Sequence, residues 1–284
     1  MTFSIVARSD DATAWGIAVA SKFLAVGAYV PAAEAGTGAI ATQSYANLAY
    51  RLGGLALLHA GSDAQQTLDA LVSGDDKREQ RQVGLVDSQG RSATFTGNEC
   101  NDWAGGVAGD GYAIQGNILV GPEVVDSMKQ AWLDSTGEPQ LAKRLYAALS
   151  AGDSAGGDRR GRQSAALLVV SPGAGYGGGN DVLADLRVDD HPTPLAELAR
   201  LIGLHDLYFG TSRPEELLAL VEPLASEVAG LLARVGHPPR GDRPADVRDA
   251  LWDWAGVENL EERVPEAEVI DPVVLGALRE RVGA

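Results

Sequence analysis

The sequence predicts an α+β protein, two stacked sheets flanked by helices, followed by a small all-α C-terminal domain. Three observations predict it. Short apolar segments bounded by turn residues alternate with helix-spaced segments in the order strands, two helices, strands, two helices, strands, helix. The first strands are apolar on both faces: Phe3, Ile5 and Ala7 lie opposite Val6, and Trp15, Ile17 and Val19 lie opposite Ala18 and Ala20, as in strands covered on both sides. The composition changes near Gly210, beyond which strand signal fades and Leu, Ala, Glu and Arg dominate. The expected domains are 1–209 and 210–284.

The chain opens with TFSIVAR, a polar turn near Asp11, and WGIAVASK. An antiparallel hairpin about that turn pairs positions whose numbers sum to about 22 or 23, which sets Thr2 roughly opposite Ser21 with Lys22 adjacent. After a Gly-rich connection the third strand starts at Gly38 and ends at Thr42 and Gln43. Helical spacing covers Ala49–His59, and Asp63 caps a second helix through about Val72. Gln80–Asp87 alternates as a strand, Ser88–Gly90 turns it and Ser92–Thr96 returns. Tyr112–Leu119 is the next strand. Pro122 starts a helix that runs to about Asp134, and Glu138–Ala151 forms another that Gly152 ends. A polar loop, 156–163, leads to a buried strand, 164–170. Gly173, Gly175 and Gly178 match G-x-G-x-x-G, but the next segment, 182–188, alternates with period two. A dinucleotide fingerprint needs a helix there, so this is a hairpin loop. A helix follows from about Pro194 to His205. In the C-terminal domain helices are expected at 215–235, 244–255 and 272–282, with Trp252 and Trp254 in its core.

Among 284 residues, 39 are acidic and 23 basic, a net charge of −16. That disfavours nucleic acid and anionic membranes, both of which need basic patches. One cysteine, Cys100, excludes an internal disulfide and a multi-cysteine zinc site, and is expected as a partly buried thiol. The start of the chain has no basic stretch before an apolar run, and no apolar run approaches a membrane-spanning length. A cytoplasmic location is expected.

Thr2 is the sharpest candidate for chemistry. If Met1 is removed, the threonine carries a hydroxyl beside its own α-amine, and such a pair acts as an activated nucleophile and base. The alternative is that Thr simply follows Met. Lys22, one of four lysines, would hold down the pKa of the amine or steady negative charge, or else face solvent. Ser21 would orient the threonine hydroxyl or merely be a small strand residue. Gln43, Ser44, Tyr45 and Asn47 would bind substrate or supply an oxyanion donor, with Asn47 equally suited to capping the next helix. Gln115 and Asn117 carry the same two readings. Asp158, Arg160, Arg162 and Gln163 stand beside Ser164 where a loop enters a strand; two arginines could clamp a carboxylate, or form structural ion pairs. Asp189, Asp190 and His191 offer oxygen and nitrogen but no further histidine, so no metal and no cofactor is expected.

The motifs MTFSIVAR, AVASKFLAVGAYVP, GAIATQSYAN, REQRQVG, GYAIQGNIL, GGDRRGRQSAALLVV and DLRVDDHP occur in that order. Together they resemble the "domain of unknown function 1028" family over about residues 1–205. That resemblance implies the N-terminal nucleophile hydrolase fold, a four-layer αββα sandwich. Segments VRDALWDWAGVENLEER and IDPVVLGALR resemble a small helical peptidoglycan-binding domain. The expected activity is hydrolysis of an amide-type bond: Thr2 attacks, its amine is the base, and Lys22 with Gln43 to Asn47 steadies the oxyanion. The expected substrate is small and polar or anionic, and a homo-oligomer is expected. The alternatives are a non-catalytic module that binds cell-wall fragments and an oligomeric scaffold.

Overall fold

A computed structural model describes residues 2–210 and 212–283. The chain divides into two compact units, Met1–Ile202 and Gly203–Ala284. In the first, the strands are β1 (Thr2–Arg8), β2 (Trp15–Ser21), β3 (Pro31–Glu34), β4 (Gly38–Ser44), β5 (Arg81–Asp87), β6 (Ser92–Thr96), β7 (Gly105–Gly109), β8 (Tyr112–Asn117), β9 (Ser164–Val170) and β10 (Val182–Val188). The helices are α1 (Ala49–His59), α2 (Ala64–Ser73), α3 (Glu123–Asp134), α4 (Leu141–Ser154) and α5 (Pro194–Phe209), the last crossing the boundary between units.

The strands form two antiparallel sheets, one ordered β10-β9-β2-β1-β8-β7 and the other β3-β4-β5-β6. The period of two assigns each side chain its face. Phe3, Ile5 and Ala7 join Val124, Met128 and Trp132 of α3, Leu145 and Leu149 of α4 and Leu198 of α5 in one core. Val6 of β1 and Ile17 and Val19 of β2 pack instead with Ala39, Ala41 and Val86 of the four-stranded sheet. The other face of that sheet, with Ile40, Val83 and Leu85, packs on Tyr50, Leu55, Leu58 and Leu68 of α1 and α2. Each fully buried Leu or Ile contributes about 1.5–3 kcal/mol over leaving it in water. The hairpin register is Thr2↔Ser21, and β8 flanks β1 on its other side with Thr2↔Asn117.

Several expectations change. β3 and β7 carry no legible signal. β7 reads GGVAG and gains its place through its backbone pairing with β8. Gly152 does not end its helix, which continues to Ser154. A Cβ at position 152 would stand 2.6 Å from Met128 Cγ, so the glycine serves the close approach of α4 to α3.

The second unit contains α6 (Leu224–Arg234), α7 (Pro244–Glu258) and α8 (Pro272–Arg281). They enclose Val228, Leu232, Leu251, Trp254, Val274 and Leu278. The single helix expected over 215–235 is instead a short 3-10 turn, a strand and α6, because Pro223 has no N–H to continue a helix from the preceding turn. The unit is not all-α: β11 (Leu218–Ala219) pairs with β12 (Val269–Ile270). Arg263 is buried and paired with Asp271 at 2.9 Å, and Asp271 also caps α8 by accepting from the Val273 N–H.

Candidate active site

Thr2 begins the central strand of the six-stranded sheet, and β1's alternation gives its side chain the face of Val6, toward the other sheet. It is buried, and its Oγ1 stands 3.1 Å from Ser21 Oγ. Met1, whose removal would free the Thr2 amine, lies outside the described residues.

Behind Thr2 a polar network fills the space between the sheets. Gln43 Nε2 lies within hydrogen-bonding reach of the Thr2 carbonyl at 3.2 Å, Gln82 Oε1 at 2.8 Å and the Gln115 carbonyl at 3.3 Å. Asn117 Nδ2 faces the Thr2 carbonyl at 3.5 Å and donates to Gln82 Oε1 at 2.9 Å. Ser4 donates to Gln43 Oε1 and accepts from Gln115 Nε2. Gln82 Nε2 donates in turn to the Gly116 carbonyl and to Thr96 Oγ1. All five of Ser4, Gln43, Gln82, Gln115 and Asn117 are buried. An amide NH₂ has two protons, so those of Gln43 and Asn117 are committed inside the protein. Gln43, Gln115 and Asn117, expected to meet substrate or to serve structure, are buried members of this network between the sheets, around the Thr2 backbone. Ser4 and Gln82 are absent from the sequence-based candidates, although a glutamine within the apolar run RQVGLV is a readable signal of a buried polar contact.

The other candidates divide. The Lys22 N–H donates to Asp158 Oδ2 at 2.7 Å, while its exposed ammonium donates to the Arg162 carbonyl at 3.2 Å. Asp158, buried, also accepts from the Arg160 N–H and pairs with its guanidinium. Arg162 pairs with Asp153 at 2.7 Å, which raises its pKa above the ordinary arginine value. Gln163 donates to Asp190. Both arginines are thus in ion pairs, and their side chains remain about half exposed. Asn47 accepts from the Ala49 N–H, the local contact expected of a residue that leads into a helix, and donates to Asp75. Asp75 also receives Arg81 and Tyr50, and Arg81 above all holds its carboxyl well below the usual range. Tyr45 is exposed, and Ser44 is half-buried beside Cys100, whose thiol burial pushes up in pKa.

Three non-glycine residues with left-handed backbone mark this end of the sheets. Ala25 (φ 53°) follows β2, Ser44 (φ 67°) is the last residue of β4, and Ile118 (φ 51°) follows β8. A β-branched residue there costs about 1–3 kcal/mol. Ile118 is held by its N–H on the Asn101 carbonyl and its carbonyl on the Arg159 N–H. All three belong to segments that leave the residues touching Thr2.

Residues 2–198 match the model of the "Family of unknown function (DUF1028)". The chain belongs to this family. Residues 208–278 match a second description, "Putative peptidoglycan binding domain". A member of the DUF1028 family, protein SPO2555 from Silicibacter pomeroyi, has a similar crystal structure: TM-score 0.64 and 28% identity, covering 80% of this chain and 92% of that one. A second solved structure, Anbu (ancestral beta-subunit) from Yersinia bercovieri, aligns at 12% identity and TM-score 0.33 over 71% of this chain and 93% of that one. No curated protein matches the chain. Among the described residues, no helix is long and apolar enough to cross a membrane.

Proposed function

We propose that the DUF1028 unit is an amide hydrolase of the N-terminal nucleophile type, its sheets and helices stacked as a four-layer αββα sandwich, with Thr2 as nucleophile. The observation that carries this is the Thr2 hydroxyl at the first position of the central strand, facing between the sheets and 3.1 Å from the Ser21 hydroxyl. With Met1 removed, the α-amine takes the Oγ1 proton as Oγ1 bonds to the substrate carbonyl carbon. That proton passes to the leaving nitrogen as the C–N bond breaks. Water then attacks the threonine ester, releasing the acid and restoring the hydroxyl. Gln43, expected as an oxyanion donor, has no spare proton; Ser44 and Tyr45 remain at the strand end.

Two measurements test this on the untagged protein from its own host. Its intact mass should lack one methionine. A small β-lactone should then acylate the Thr2 peptide in the native protein and leave Thr2→Ala unmodified. A processed protein that no lactone labels would overturn the proposal.

A second reading, a binding module for cell-wall fragments, draws on the C-terminal match and on one surface feature. Trp252, expected in the core, is 43% exposed; only Trp254 is buried. Trp252 borders a surface cavity of about 340 Å³ with Arg240, Arg248, Asp253 and Glu266. Calorimetric titration of the full chain with muropeptides should give binding that Trp252→Ala abolishes; no heat with the native protein removes this reading.

A further inference from the structure

The segments that leave Thr2's neighbours share a second property. Phe23 and Leu24 follow Ser21 by two and three residues; Tyr45 follows Gln43 by two; Val120 follows Asn117 by three. Ser21, Gln43 and Asn117 each face an atom of Thr2 at 3.1–3.5 Å. Yet these four large apolar side chains are 45–61% exposed. Leu48, at the entrance of α1, adds a fifth. Single exposed apolar residues need no explanation, but these five lie on the three segments that leave the residues facing Thr2.

The same edge carries positive charge in a chain of net −16. Arg159 is exposed and tied by its N–H to the Ile118 carbonyl. Among the described residues its guanidinium has no acidic partner, and the Lys22 ammonium has only a carbonyl. Arg160 and Arg162, by contrast, are already paired with carboxylates. An uncompensated arginine favours a carboxylate and attracts it from solution.

We infer that the Thr2 site takes a hydrophobic amide that also bears a carboxylate, such as an N-acyl amino acid with a bulky apolar group beside the scissile bond. Phe23, Leu24, Tyr45 and Val120 receive the apolar group, and Arg159 with Lys22 receives the carboxylate. This rests on the reading of Thr2 as nucleophile, and it adds a bulky apolar group to the small, polar or anionic substrate expected from sequence. An apolar pocket contact discriminates by about 10–200-fold.

The test compares three substrates on the full, processed protein, with amine release as the readout. N-phenylacetyl-leucine has both features, N-phenylacetyl-leucinamide lacks the carboxylate, and N-acetylglycine lacks the apolar group. The first should exceed each of the others by about tenfold or more in kcat/KM. Arg159→Gln should erase the preference over the amide, and Phe23→Ser with Tyr45→Ser the preference over N-acetylglycine. Each variant is read by the ratio of kcat/KM between substrates, which a uniform loss of activity leaves unchanged. Equal rates on all three substrates, no turnover of any by a protein that the lactone labels, or preferences that the variants leave untouched would each overturn the inference while the nucleophile stands. Absence of labelling would remove both. If the apolar variants convert an oligomer to a monomer in sedimentation without altering selectivity, the patch belongs to a second copy and the inference fails.

Discussion

Thr2 is held from behind by amides that never leave the interior. Gln82 Oε1 accepts from both Gln43 and Asn117, which fixes which end of each amide faces the Thr2 carbonyl. A buried amide left without its partner costs about 1–3 kcal/mol, so the network tolerates no member's loss. Gly84 makes room for it: a Cβ at position 84 would come within 1.9 Å of Gln115 Oε1. Gly84→Ala is therefore expected to lower stability by about 1–3 kcal/mol through overpacking, measured by urea unfolding; an unchanged midpoint would show that the side chain repacks freely. Asp75 gives a pH-dependent counterpart. Its carboxyl is depressed by Arg81 first, then by Asn47, the Lys77 N–H and Tyr50, with burial working the other way. A depressed folded-state pKa stabilises above the ordinary value of about 3.9 and loses that contribution as pH falls through the folded value. The stability difference between the native protein and Asp75→Asn should be constant from pH 7 to about pH 5 and shrink below about pH 4. An equal difference at pH 7 and pH 3 would assign the effect of Asp75 to shape rather than charge.

At the scale of elements, local sequence and packing each decide different things. α2 starts where it does because Asp63 accepts from the Gln66 N–H while the Gln66 side chain reaches back to the Asp63 N–H. Asp63→Ala should cost about 1 kcal/mol, read from thermal unfolding, with Asp63→Ser recovering most of it; equal losses in both variants would count against a capping role. This helix is legible because its signal lies within four residues. β7 is not, because five residues reading GGVAG carry neither apolar alternation nor β-branching beyond one valine, and the strand exists only because β8 offers its edge. The α6 boundary is misread for the opposite reason. Leucine and glutamate suggest helix on both sides of Pro223, but only the later side continues.

At the scale of the whole molecule, two cores imply two stability contributions. In the second unit the Arg263 guanidinium and Asp271 carboxylate are both buried, and Arg263 further donates to the Leu207 and Asp206 carbonyls. Removing one partner strands the other charge, at a cost of about 3–5 kcal/mol. Arg263→Ala is expected to move only the calorimetric transition of residues 203–284, leaving that of the DUF1028 unit in place. A single transition displaced as a whole would mean that the units unfold together.

Read alone, the sequence supplies most strands and helices of the first 200 residues (though not β3 or β7), the pairing that brings Thr2 close to Ser21, and the hairpin identity of the glycine loop. These depend on periodicity and turn chemistry, which act over a few residues. Which polar residues are free follows from folding. Gln43, Gln82 and Asn117 lie far apart in the chain and become partners because two sheets face each other, and Asp153 and Asp158 reach Arg162 and Arg160 because a loop folds back. A side chain's type says which bonds it can make; whether those bonds are already made inside the protein depends on neighbours that folding supplies.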